Sequence, residues 1–304
     1  MNNNNIEKIK AAVREGEYDA VMVTSPENRL YATGFPSSAG LLLATGADAW
    51  FFTDSRYAEA AGRAVGNAEL LLIDKDNAYS KRINAVCTAR SVRSIGFEDG
   101  TVTYSEYLDW KKKLRAELVP AQAALTALRA VKSRDDLEKL IAAQRIAEKS
   151  FEEILPLISP ELTERELAAE LVCRFLKNGA DDKSFDPIVV SGARSSMPHG
   201  VPTDDKLQRG FLTIDFGVKK DGWCSDATRT LCIGRPTEEM QKVYDTVLLA
   251  QLAGIAAARA GVLGSDVDAA ARRVIENAGY GKYFGHSFGH GLGLAVHEAP
   301  SAAA

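Results

Sequence analysis

The stretch IDFGVKKDGWCSDATRT, residues 214–230, sets two aspartates on the two arms of one tight hairpin. Residues 212–218 and 223–233 are rich in strand formers, and Lys219-Lys220-Asp221-Gly222 supplies the turn chemistry between them. A loop at Lys220-Asp221 sets Asp215 directly across from Asp226; a loop at Asp221-Gly222, the stronger turn dipeptide, sets Asp226 diagonal to Asp215. Side chains alternate with a period of two, so both registers leave the two carboxylates on one face. Directly opposed, their Cβ atoms would lie about 4.5–5.5 Å apart, and like charges there are destabilising. Such a pair calls for a proton or a cation between its members, or for a solvated strand face where water screens the repulsion.

The rest of the chain narrows the choice. Its 304 residues suffice for two domains, and a composition of 46% hydrophobic and 26% charged residues is that of a globular protein. The formal charge of -4, with no concentrated Lys/Arg block, argues against nucleic acid as a partner. Four cysteines, at 87, 173, 224 and 232, show no C-x-x-C spacing and read as reduced thiols. The N-terminal MNNNNIEKIK has no apolar leader core, and the apolar run VLLAQLAGIAAARAGVLG is interrupted by Gln251 and Arg259, so the expectation is a cytoplasmic protein with no membrane partner. The four histidines, His199, His286, His290 and His297, all fall in the last third, in two glycine-flanked segments, which favours a site.

Strand-like YDAVMVT, GLLLAT, AWFFT, ELLLI and RSIGF alternate with helical SRYAEAAGRAV and YSEYLDWKKKLRAEL, which predicts an α/β domain over residues 1–132. A long amphipathic helix then opens at residue 135 with Ser133 as its N-cap, and a second domain is expected over 133–304. That second part carries an internal echo. A helix, the capped helix TERELAAELVCRFLKNG and SFDPIVV are matched roughly one hundred residues later by TEEMQKVYDTVLLAQLAGIAAARAG, SDVDAAARRVIENAG and KYFGHSFGHG. Two similar halves about a shared sheet would bring the aspartate hairpin of one beside the histidine segment of the other.

Asp215, Asp226 and His290 together offer oxygen and imidazole donors without thiolate, a set suited to Mn²⁺, Co²⁺ or Zn²⁺. Carboxylates that share two such ions activate water at neutral pH and clamp a tetrahedral transition state, chemistry suited to amide hydrolysis. Other motifs do not fit. HSFGH lacks the glutamate of a zincin helix, GHGLG lacks the dinucleotide-binding pattern, and no G-x-S-x-G is present.

Three ordered blocks, SFDPIVVSGARSSMPHGVP (184–202), TIDFGVKKDGWCSDATRT (213–230) and HSFGHGLGLAVHE (286–298), resemble the signatures of the pita-bread metallopeptidases of family M24, in their proline-specific branch of Xaa-Pro aminopeptidases and prolidases. NRLYATGFPSSAGLLLATGADAWFFTDSRYAEAA resembles the accompanying creatinase-type N-terminal domain. The resemblance implies an α/β N-terminal domain followed by an α+β pseudo-symmetric pita-bread domain. It implies metal ligands at Asp215, Asp226 and His290, with Asp226 bridging two ions, most readily Mn²⁺. His199 and His297 match histidines that contact substrate and the developing tetrahedral intermediate, His286 matches one characteristic of the proline branch, and Thr228 matches a hydroxyl near the attacking water. The implied substrates are proline-containing peptides, cut at the Xaa-Pro bond at their N-termini, and the implied assembly is a homodimer.

One part of the pattern is unfilled. The family's site has five protein ligands, the last two being glutamates on strands that follow the His-Glu block, and here that block is followed by APSAAA. The expectation is therefore a pita-bread domain lacking its last strands, with an unpaired strand edge, an uncovered apolar face and little or no peptidase activity in these 304 residues. An Xaa-Pro dipeptidase and a non-catalytic binding module on the same fold stand as alternatives.

Overall fold

The register of the aspartate hairpin is decided by the Asp221-Gly222 turn. Asp221 and Gly222 both adopt positive φ, at 49° and 81°, the two-residue turn whose twist suits paired strands. Lys220 pairs with Trp223 beside the turn and, in the same register on a second sheet, Asp215 pairs with Thr228. Asp226 is thus two residues from Thr228, diagonal to Asp215 and on its face of the sheet; the directly opposed register is excluded.

The computed structural model describes residues 5–303; the first four residues of the N-terminal stretch considered above, and the last alanine, lie outside them. The chain divides into two compact units, Met1–Val131 and Lys132–Ala304.

The first unit runs α1 (Asn5–Glu15), β1 (Ala20–Val23), α2 (Pro26–Thr33), β2 (Leu41–Thr45), β3 (Ala49–Thr53), α3 (Ala58–Ala64), β4 (Glu69–Leu72), α4 (Tyr79–Arg90), β5 (Ser94–Phe97), α5 (Tyr104–Lys113), β6 (Glu117–Pro120) and α6 (Gln122–Ala130). Its strands form one mixed sheet in the order β4-β3-β2-β1-β5-β6. The strands β1, β2 and β3 are buried along their whole length, as their continuous apolar runs require. The helix expected over 104–118 is corrected: α5 stops at Lys113, Leu114 turns extended and is buried with Ala116, and Glu117–Pro120 pairs in parallel with β5. Core burial and strand pairing outweigh helix propensity there.

The second unit begins with α7 (Arg134–Ile154), whose N-cap Ser133 forms a reciprocal capping box with Asp136. It continues through α8 (Glu164–Lys177), β7 (Asp182–Lys183), β8 (Ile188–Ser191), β9 (Gly210–Phe216), β10 (Val218–Lys220), β11 (Trp223–Cys224), β12 (Ala227–Ile233), α9 (Glu238–Ala257), α10 (Gly264–Asn277), β13 (Gly289–Gly291) and β14 (Glu298–Ala302). The strands β8, β9 and β12 form one sheet with β12 at an edge. On the inner face of β9, Leu212, Ile214 and Phe216 pack with Ala143 and Ala147 of α7 and Leu167, Leu171 and Phe175 of α8. The opposite face carries Asp215. The segment KYFGHSFGHG, matched above to SFDPIVV and so expected to be strand-like, is instead a turn of 3₁₀ helix at Gly281–Tyr283, an irregular stretch and the short β13; its Phe284 and Phe288 pack with Ala271 and Ile275 of α10 and Ala250 of α9.

Candidate metal centre

Gly217 allows the hairpin to close where Asp226 is placed. It lies between β9 and β10, and a Cβ there would stand 1.9 Å from the Ser225 carbonyl oxygen and 2.2 Å from Ser184 Oγ. In that space Ser184 Oγ donates to the Ser225 carbonyl at 2.7 Å, and Val218 N–H donates to Ser225 Oγ at 2.9 Å. These bonds fix the residue before Asp226.

Asp215 and Asp226 are both partly buried. Asp215 Oδ1 accepts the Thr228 hydroxyl at 2.7 Å, which ties the carboxylate to its cross-strand partner. The Asp226 carboxyl is raised above the ordinary aspartate range, first by burial and then by the nearby Asp215 charge, with His290 and His297 pulling the other way. Asp226 therefore feels the charge of Asp215.

The imidazole arrives from β13. His290 Nε2 lies 3.5 Å from Asp226 Oδ2, and His290 Nδ1 lies 3.0 Å from the Gly291 carbonyl oxygen. A carbonyl only accepts, so Nδ1 donates in that contact, and Nε2 is the ring nitrogen that faces Asp226. The exposed His297 ring stands with its centroid 4.3 Å from that of His290. Glu298, the next residue, is turned away. It accepts the Ala295 N–H at 2.9 Å and pairs with Lys132 at 3.3 Å, with only 3% of its side chain exposed.

The remaining expected residues lie apart from this trio. His286 lines a groove of about 730 Å³ with Phe284, Phe288, Thr228 and Thr213, bounded across by α9 residues such as Tyr244 and Val247. His199 is exposed on the loop after Gly192–Ser196, and no described hydrogen bond joins it to the trio. Its loop is anchored by Glu164, which is 1% exposed and accepts from Ser191 N–H at 2.8 Å, Thr203 N–H at 3.1 Å, Thr203 Oγ1 at 3.0 Å and Arg194 Nε at 3.2 Å. Sequence reading placed Glu164 only as part of the capped helix TERELAAELVCRFLKNG and missed this role, because nothing local distinguishes an outward from an inward carboxylate in a first turn.

Two carboxylates and an imidazole are donors of the kind a divalent ion takes. Among the described residues no group of three or more His, Cys, Asp or Glu side chains is gathered closely enough to hold an ion as a cage, so the donor set is partial. The thiols stay outside it: among the described residues no disulfide joins the cysteines, and burial pushes the Cys87 thiol up to about 11. Among the described residues no helix is long and apolar enough to cross a membrane.

A two-unit chain with a paired-acid hairpin facing a histidine strand defines a class of hydrolase, and comparison with known proteins gives its family. Residues 138–304 match metallopeptidase family M24 and residues 5–131 match the creatinase/prolidase N-terminal domain. The chain is 39% identical over 297 residues to an uncharacterized peptidase of Bacillus subtilis, YqhT, covering 97% of this chain and 84% of that one. It superposes on an Xaa-Pro dipeptidase from Bacillus anthracis with a TM-score of 0.94 at 38% identity, covering 99% and 84% of the two chains. It superposes on an X-Pro aminopeptidase from Thermotoga maritima with a TM-score of 0.89 at 32% identity, covering 96% and 85%. The chain belongs to the M24 metallopeptidases, and it is a peptidase of the pita-bread fold with a creatinase-type N-terminal domain.

Proposed function

We propose that the protein is a metal-dependent exopeptidase that hydrolyses the Xaa-Pro bond at peptide N-termini. The observation that carries the reading is the approach of His290 Nε2 to Asp226 Oδ2 at 3.5 Å, with the ring's other nitrogen tied to a carbonyl. Asp215, Asp226 and His290 would hold divalent ions, Mn²⁺ for preference, with Asp226 as the central ligand. Bound there, the ions supply a water acidified toward neutral pH and positive charge for the oxygen of the cleaved carbonyl.

The chain's own groups do the rest. Asp226 takes the central position because it faces both Asp215 and His290, and Thr228 holds the Asp215 carboxylate in place. His297, beside His290, and His199 on its anchored loop orient the substrate carbonyl and stabilise the charge that develops on it. His286, flanked by Phe284 and Phe288, offers the apolar and aromatic wall against which a proline ring packs, and a tertiary amide demands no hydrogen bond from that wall. The similarity to the Bacillus anthracis enzyme supports dipeptides as a second substrate class.

The test is an end-point mass-spectrometric assay at high protein concentration with Mn²⁺, on Ala-Pro, Ala-Pro-Gly-Phe and Ala-Ala-Gly-Phe. Scission confined to the Ala-Pro bond and abolished by chelator is expected, and preference between the first two peptides separates dipeptidase from aminopeptidase. Cleavage of Ala-Ala-Gly-Phe at a comparable rate, or cleavage that survives chelation, contradicts the proposal.

A further inference from the structure

On α10 the Asp268 carboxylate has no exposure to solvent, and its hydrogen bonds run to the chain that leads to His290 rather than to the candidate ligands. Arg272, one turn along, grips it twice, Nε to Oδ2 at 2.7 Å and Nη2 to Oδ1 at 3.0 Å. An ordinary i,i+4 pair leaves the other guanidinium protons to water. Here Nη1 donates to the Phe284 carbonyl and Nη2 to the His286 carbonyl, both at 3.0 Å. Asp268 Oδ1 in turn accepts the Phe288 N–H at 2.8 Å.

Three alternate residues of one irregular stretch are thus fixed through their main chains to a single ion pair whose carboxylate is buried and whose guanidinium is partly exposed. Main-chain attachment leaves the side chains available for the site. The Phe284 ring lies 4.5 Å beneath the guanidinium and 5.5 Å from the His286 ring, while the Phe288 ring seats where a Cβ on Gly254 of α9 would come within 2.3 Å of it. Two residues beyond Phe288 stands His290. A planar fork of donors can bridge a carboxylate and two carbonyls at once; an ammonium on a flexible stem cannot.

We propose that the Asp268–Arg272 pair is the positioning element of the 284–290 segment, setting His286 on the groove wall and delivering His290 to Asp226. The inference rests on the reading of His286 and His290 as site residues.

Amide hydrogen exchange and Mn²⁺ titration on the wild type and on Arg272→Lys test it. The lysine keeps a positive charge beside Asp268 and loses the fork. In the wild type the Phe288 amide exchanges as slowly as the core of α10; in Arg272→Lys exchange at residues 286–290 rises at least about tenfold while α8 is unchanged. The Mn²⁺ dissociation constant rises about tenfold or more in the folded variant, the size expected when a group behind a ligand is lost. A variant that melts earlier but binds Mn²⁺ within about twofold of wild type reduces the pair to a helix staple and overturns the proposal. If Arg272→Lys does not fold, the wild-type exchange decides: a Phe288 amide as fast as an open loop overturns it, and a protected one sustains it. Failure of the wild type to bind Mn²⁺ overturns the proposed function and leaves the exchange result standing.

Discussion

His290 Nε2 stands 3.5 Å from Asp226 Oδ2, although His290 is on β13 and Asp226, more than sixty positions earlier in the chain, sits between β11 and β12. Their meeting puts an imidazole nitrogen against a partly buried carboxyl that already faces a second acid. In water a pair of acids needs no such partner; half out of water it does.

The raised Asp226 carboxyl gives a pH signature. In the metal-free protein the folded state binds a proton there more tightly than the unfolded chain does, so this group's contribution to stability rises as pH falls through its folded value. An incoming ion must displace that proton, so Mn²⁺ affinity falls with acidification, beginning at a higher pH than an ordinary aspartate would set. Calorimetric titrations between pH 5 and 8 read this as proton release on binding. Affinity that is flat with pH in wild type and Asp226→Asn alike contradicts it.

Glu164 behaves in the opposite sense. Burial alone would raise its carboxyl, but the Ser191 and Thr203 N–H groups, the Thr203 hydroxyl and Arg194 together hold it below the usual glutamate range. Its contribution is therefore present above the unfolded value of about 4.3 and is lost as pH falls through the lower folded value. Glu164→Gln is expected to cost roughly 3 kcal/mol at pH 7, by leaving Arg194 without its charge partner, and to flatten the acid limb of a urea-unfolding series. An unchanged acid limb would show that the carboxylate is not what anchors the His199 loop.

Gly217→Ala is expected to destabilise the second unit by at least about 3 kcal/mol, since the new Cβ meets the Ser225 backbone and relief requires the strands to part. The measurement is the urea midpoint, with Ala168→Gly on the neighbouring helix as a control for a small-residue change. A loss below 1 kcal/mol would mean that the hairpin closes around Asp226 less tightly than described.

The sequence makes some of this legible and hides the rest. The Asp-Gly dipeptide named the turn, and period-two alternation placed Asp215 and Asp226 on one face before any contact was known. Ser133 and Thr163 announced α7 and α8, because capping is a local contest for the first N–H groups. The strand β6 stayed hidden inside a helical pattern, since what makes Glu117–Pro120 a strand is the edge of β5, a partner distant in the chain. The roles of Asp268, Arg272 and Glu164 were illegible for the same reason: each looks like a surface charge on an amphipathic helix until the loop it holds is folded over it.

Asp226 lies at the centre of the account, so the most direct test is a Mn²⁺ titration followed by electron paramagnetic resonance on the wild type and on Asp226→Asn, an isosteric change that keeps the hairpin's turn and pairing. The free-ion signal should be quenched by the wild type, and the variant's dissociation constant should rise by at least about tenfold, with His290→Ala showing a loss of similar size. Equal binding by the wild type and both variants, or no binding by any of them, would contradict the assignment of these residues as a metal centre.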